Sequence, residues 1–262
     1  MRAFEFSQGS LPLLIIVPHI GTQLTPDVSA ALIPQARALP DTDWHQDKLW
    51  QFARAAGASI LMANYSRMVI DVDCPPPGNH QNSDLWPQTL QDGTPSFTPG
   101  KAPTIKDREQ VFEQIWKPWH QQVNSELQRL KRQYGYAQLL DIQALSSRLV
   151  TNNADINILT GNAERCPAAV LEAITRGLDK YKQLRYAVDG PFREGYALRA
   201  VARPEEGICA LQVIIAQNLY MDEHPPYRWL PAKAQQLQPV LTQLITGYLN
   251  GVREWAASPI SR

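Results

Sequence analysis

The fold turns on Leu11–Thr22, LPLLIIVPHIGT. Leu13–Pro18 is a run of apolar residues with no polar alternation, ending in Pro18, His19 and, two residues on, Gly21. A continuous apolar run of this length suits a strand buried on both faces, as in a parallel sheet covered by helices. The C-terminal tip of such a strand is where open α/β sheets bind ligands. His19 stands at that tip, either as a satisfied structural histidine or as a ligand. Ser59–Met62, Met68–Val72, Ala137–Ile142 and Ile208–Ile215 are further runs of the same kind. Between them lie helical patterns. Lys48–Ala56 is stopped by Gly57, a plausible C-cap. Val111–Tyr134 carries apolar residues every three or four positions and is stopped by Gly135, with Pro118 expected to kink or break it. Ala232–Val252 is a third helix. Strands alternating with helices predict an α/β fold, a mixed sheet flanked by helices, and the absence of repeats or low-complexity tracts predicts one domain over 1–262.

The composition narrows the function. Lys plus Arg and Asp plus Glu number 25 each, so no net charge favours nucleic acid or an anionic membrane. No apolar stretch approaches the ~20 residues that span a bilayer, and the N-terminus lacks the pattern of a secretory signal. Cys74, Cys166 and Cys209 are an odd, widely spaced set, neither a disulfide framework nor a zinc ribbon. The expected setting is cytoplasmic. Cys74–Thr104 is rich in Pro, Gly and Asn, and loops that long are usually functional or mobile. Its apolar residues Leu85, Trp86 and Phe97 are read as a lid over the pocket, with His80 at the mouth; the alternative is a surface loop pinned elsewhere.

Chemistry-bearing residues gather at predicted strand ends: His19 after the first strand, Asp71, Asp73 and Cys74 after MVIDV, Asp141 and Gln143 after LLDI. Asp41 and Asp43 precede a helix, where Asp is a favoured N-cap; capping and site roles both stay open for them. Cys74 is either a small apolar filler or a nucleophile, with Asp71 among the acid–base groups beside it.

Six segments together, LPLLIIVPHIGTQLTPDV, ARALPDTDWHQDKLWQFARAAGAS, YSRMVIDVD, IWKPWHQQVNSELQRLKRQYGYAQLLD, GPFREGYALR and ALQVIIAQNLYMDEHPP, resemble the N-formylglutamate amidohydrolase family in order and spacing. The resemblance implies a phosphorylase/hydrolase-like fold related to zinc carboxypeptidases and aspartoacylase. It also implies a metal-activated water that cleaves the formamide of N-formylglutamate. Carried over position by position, it makes His19 and Asp43 metal ligands and retains Arg67. It then fails at several points. The family's Asn-Arg appears as Asp73-Cys74, its second metal-type His as Gln143, an Arg as Pro191, a His as Ala200, and the acid at the general-base position as Ile214. Arg67, Asp73, Arg193 and Arg199 remain as candidate substrate contacts. These losses imply zinc bound weakly or not at all, and a non-catalytic homologue that takes a small molecule or a partner protein. Two alternatives are new chemistry at Cys74 and His19, and an amidohydrolase with a rearranged site that recruits His45 or His80.

Overall fold

The structure, a computed structural model, describes residues 2–77 and 85–258. The LLIIV run is strand β2 (Leu13–Val17), buried at every residue. Among the described residues it lies inside a seven-stranded sheet with β1 (Phe4–Ser7), β3 (Ser59–Ala63), β4 (Ala137–Leu145), β5 (Ile156–Leu159), β6 (Tyr186–Val188) and β7 (Ile208–Ala216), in the order β1-β3-β2-β4-β7-β5-β6. The central block β3-β2-β4-β7 is parallel, whereas β1 and β5 join it antiparallel.

Helices cover both faces, which is why the central strands carry no alternation. On one face Leu14, Ile16, Leu61 and Leu139 share a core with Trp119, Val123 and Leu127 of α6 (Lys117–Tyr134) and Leu198 of α8 (Tyr196–Val201). On the other, Ile15, Ile142 and Val213 pack with Val170 and Ile174 of α7 (Ala168–Leu178) and Leu241 and Leu244 of α9 (Pro231–Ala256). The chain enters these layers through α1 (Pro26–Ala31), α2 (Pro34–Arg37), α3 (Gln46–Leu49), α4 (Gln51–Ala56) and α5 (Ile105–Val111). Gly57 ends α4 in a left-handed conformation, φ 103°, as expected of a C-cap. The Val111–Tyr134 pattern is divided. A π-helical turn, Phe112–Trp116, precedes α6, and Pro118 occupies the first turn of α6, where its missing N–H costs least.

Two expectations are corrected. Met68–Val72 is not a strand. Both edges of β3 are occupied by β1 and β2, and the run folds into turns instead. Val69 N bonds Ser66 O, Asp71 N bonds Leu85 O and Cys74 N bonds Asp71 O. Its apolar residues are buried as a strand's would be, so composition could not separate the two. The lid reading also fails for its apolar anchors. Leu85 and Phe97 are buried in the same core as Ile70 and Trp119, Phe97 bridges to Leu32, and Trp86 lies under the Arg108 guanidinium, 5.4 Å from the ring centroid. His80 lies outside the described residues.

Gly21 explains the spacing of the opening motif. A Cβ there would sit 2.2 Å from the Tyr65 carbonyl oxygen. The chain leaving β2 therefore lies directly on the chain leaving β3, with Gln23 N bonded to Asn64 O and Ser66 N to Gln23 O. Gly21→Ala is expected to force these segments apart at a cost of about 3 kcal/mol, seen in a thermal melt as a Tm lower by about 6–12 °C. A Tm equal to wild type would show that this contact does not hold the two ends together.

Candidate functional site

Because β2, β4 and β7 run parallel, their C-terminal ends share one rim. The register places Ile16 beside Asp141 and Asp141 beside Gln212, with Gln143 beside Ile214 one step further. One face of the sheet thus changes from apolar at Leu139 to polar at Asp141, Gln143 and Gln212. The turn after β3 delivers Arg67, Asp71 and Asp73 to the same rim.

Asp71 is buried and is met by three partners. His19 Nε2 lies 2.8 Å from Oδ1 and the Arg67 guanidinium forms an ion pair with Oδ2 at 2.8 Å. The Asp73 backbone N–H reaches Oδ1 at 2.9 Å. Burial alone would raise the Asp71 pKa, but His19 and then Arg67 outweigh it and hold the carboxyl well below its ordinary range. For His19 burial works to lower the value, and the Asp71 charge and hydrogen bond reverse it, so the imidazole is raised. Since a carboxylate only accepts, His19 Nε2 carries the proton. Its Nδ1 faces Asp43 Oδ2 at 3.9 Å, beyond hydrogen-bond length, and that oxygen is buried with no hydrogen-bond partner. Asp43 is held in place by its own N–H on the His19 carbonyl, 3.0 Å, and burial pushes its carboxyl up to about 7.

Gln143 organises the second half of the site. Its Nε2 donates to Asp73 Oδ2 at 2.7 Å and to Asp141 Oδ2 at 3.3 Å. Asp73 also receives the Ala197 N–H on Oδ1 (3.2 Å) and the Tyr196 N–H on its carbonyl (3.0 Å), which seats the turn on the start of α8. Gly195 permits this, since a Cβ there would lie 2.3 Å from Asp73 Oδ2. Asp141 is fully buried, and burial with the neighbouring Asp73 charge raises its pKa.

His19, Arg67, Cys74, Gln143, Arg193 and Arg199 all line one cavity of about 310 Å³, together with Asp71 and Asp73. Eight of the residues singled out from the sequence therefore meet, and Asp43 lies behind His19. Asp43 is no helix cap: α3 begins after His45 with no side-chain cap, and the Asp41 carboxylate accepts from Gln91 N. His45 is directed elsewhere, its Nε2 2.6 Å from the Tyr227 carbonyl oxygen and its backbone at φ 65°. It does not line the cavity and does not replace a missing ligand. Sequence reasoning passed over Glu194, whose backbone carbonyl takes the Arg199 guanidinium, and Gln212, which accepts the Gly195 N–H at 2.9 Å. A polar Gln in the apolar run ICALQVII was the available signal for the latter.

A catalytic zinc takes three protein ligands and a water. Here two candidate donors, His19 Nδ1 and Asp43 Oδ2, face each other. The third position holds a neutral amide whose nitrogen is turned to carboxylates. Among the described residues no group of three or more His, Cys, Asp or Glu side chains is arranged to hold an ion. The donors facing each other among the described residues are thus one fewer than the three protein ligands of a catalytic zinc.

The chain matches the N-formylglutamate amidohydrolase family over residues 11–221. It is 37% identical to an N-formylglutamate deformylase of Pseudomonas aeruginosa, across 97% of this chain and 98% of that protein. It is 36% identical to one of Pseudomonas putida, across 100% and 99%. Among solved structures, an N-formylglutamate amidohydrolase from Ralstonia eutropha superposes with a TM-score of 0.81 at 20% identity, covering 97% of this chain and 100% of that one. The Agrobacterium tumefaciens gene product Atu2144 superposes at 0.75, covering 97% of both. These last two likenesses establish the fold.

His120 on α6 supports the site from behind. Its Nε2 donates to the Val72 carbonyl at 2.8 Å, in the middle of the turn that carries Asp71 and Asp73. Burial outweighs that bond and lowers its pKa from 6.5 to about 4. The unfolded chain therefore binds this proton before the folded one does, so stability is full above pH 6.5 and falls as pH drops toward 4, by about 3 kcal/mol. Denaturant melts across that window should show the slope in wild type and a flatter one in His120→Gln. Equal slopes would remove His120 as its source.

Proposed function

Since the chain belongs to the N-formylglutamate amidohydrolase family, we propose that it keeps the family's pocket for binding a small molecule but not its hydrolysis. One observation carries this reading: Gln143 and Ile214 stand side by side in register on β4 and β7. The resemblance places a metal-type His and a general base there. Gln143 spends its donors on Asp73 and Asp141, and Ile214, only 7% exposed, cannot accept a proton from water. Positioned proton transfer is worth roughly 10²–10⁴ in rate, and no carboxylate at that register position supplies it. What persists is a recognition surface. Arg67, Arg193 and Arg199 line the cavity, and guanidinium is the group that pairs with carboxylates in a bidentate way. Arg67 is committed to Asp71. Asp73 stands where the resemblance places a neutral Asn, so the ligand differs from the family's dicarboxylate.

A second reading rests on Cys74, which brings a nucleophilic thiol to the same cavity as these guanidiniums. Alkylation of Cys74 that follows single-turnover kinetics with a pocket ligand would support it.

The main test is formate release from N-formyl-L-glutamate, assayed with and without added zinc. No turnover above the protein-free blank is expected in either condition. Turnover at the rates ordinary for enzymes, on the order of 1–10³ s⁻¹, would overturn the proposal.

A further inference from the structure

We infer that Gln143 takes the place of a metal ion as the cross-link of this site, so that the chain folds and holds its pocket without zinc. The inference shares Gln143 with the reading above but does not depend on whether a formamide is cleaved.

The geometry carries it. A metal ion at a strand rim joins elements distant in sequence by taking one ligand from each. Here the Gln143 amide does that joining. From β4 it reaches Asp73 on the turn after β3, at 2.7 Å, and Asp73 in turn receives the first N–H groups of α8. The same nitrogen holds Asp141, 3.3 Å away on its own strand. The amide nitrogen thus faces one carboxyl oxygen of each acid. The positive charge a metal would supply is also present in the chain. Arg67 lies on Asp71, and His19 lies between Asp71 and Asp43. The donors left over, His19 Nδ1 and Asp43 Oδ2, are one fewer than a three-ligand zinc site requires. Gln143 is on this account a positioning residue, acting through Asp73 on the turn and on α8.

The test uses the whole chain, purified without chelator. Wild type should contain far less than one zinc per chain, and its Tm should be the same in excess EDTA and in added zinc chloride. Gln143→Ala, which leaves Asp73 and Asp141 without their shared donor, should melt about 2–8 °C lower, again without response to zinc. Gln143→His should gain about one zinc per chain and a Tm rise of about 5–10 °C on zinc addition, a response that a purely structural role for Gln143 would not produce. Near one zinc per wild-type chain, a fall in wild-type Tm in EDTA, a Gln143→Ala variant as stable as wild type, or a Gln143→His variant indifferent to zinc would each overturn the inference. If Gln143→Ala does not fold, the wild-type measurements still decide. A zinc-bearing wild type that releases no formate would remove this inference and leave the preceding proposal; a zinc-free one that releases formate would do the reverse.

Discussion

The site depends on one buried carboxylate being fully answered. Asp71 is 2% exposed, and a charge so placed is tolerated only when paired and hydrogen-bonded. His19 and Arg67 supply the pairing and the Asp73 N–H the remaining bond. Removing one partner of such a buried pair typically costs 3–5 kcal/mol, because the other charge is left uncompensated. The same interaction sets the geometry beyond it. By holding the Asp73 backbone, Asp71 aims the Asp73 side chain at Gln143 and the start of α8.

For those groups to meet, two chain segments must run nearly in contact. His19 leaves β2 and Arg67 follows β3, and these strands are parallel neighbours. Gly21 lets the backbones approach as no larger residue could. The hydrogen bonds between Gln23, Asn64 and Ser66 then carry the contact onward. Gly195 plays the matching part on the far side, where Asp73 presses against α8. Two glycines thus admit the close approaches on which the polar cluster rests.

The scaffold and the pocket of this chain follow different constraints. Strand cores such as Leu14, Ile16, Leu139 and Leu211 answer to packing from both faces, and any change there leaves a cavity or an overlap. The rim positions answer only to what they bind. A rim with changed chemistry, as proposed for Gln143 and Ile214, can therefore sit on an intact family fold, because fold and function are set by separate residues.

The amino-acid sequence by itself determined the central strands. LLIIV is apolar throughout and AQLLDI and ICALQVII nearly so, and such burial is written in composition. It also determined the helix stops at Gly57 and Gly135, where left-handed backbone calls for glycine. Motif order and spacing were enough for the family and for eight residues that do line one cavity. The tertiary structure decided the rest. MVIDV reads as a strand, yet both edges of β3 are taken, so the run folds into turns with equal burial. Leu85 and Phe97 read as lid anchors, yet the core beside Ile70 and Trp119 offers them more contact than a pocket mouth would. His45 stands two residues from Asp43 and points instead at Tyr227. Periodicity and composition report how much of a residue is hidden from water. They do not report which neighbour hides it, and the partners of His19, Asp71, Asp73 and Gln143 lie on four separate elements that only the folded sheet brings together.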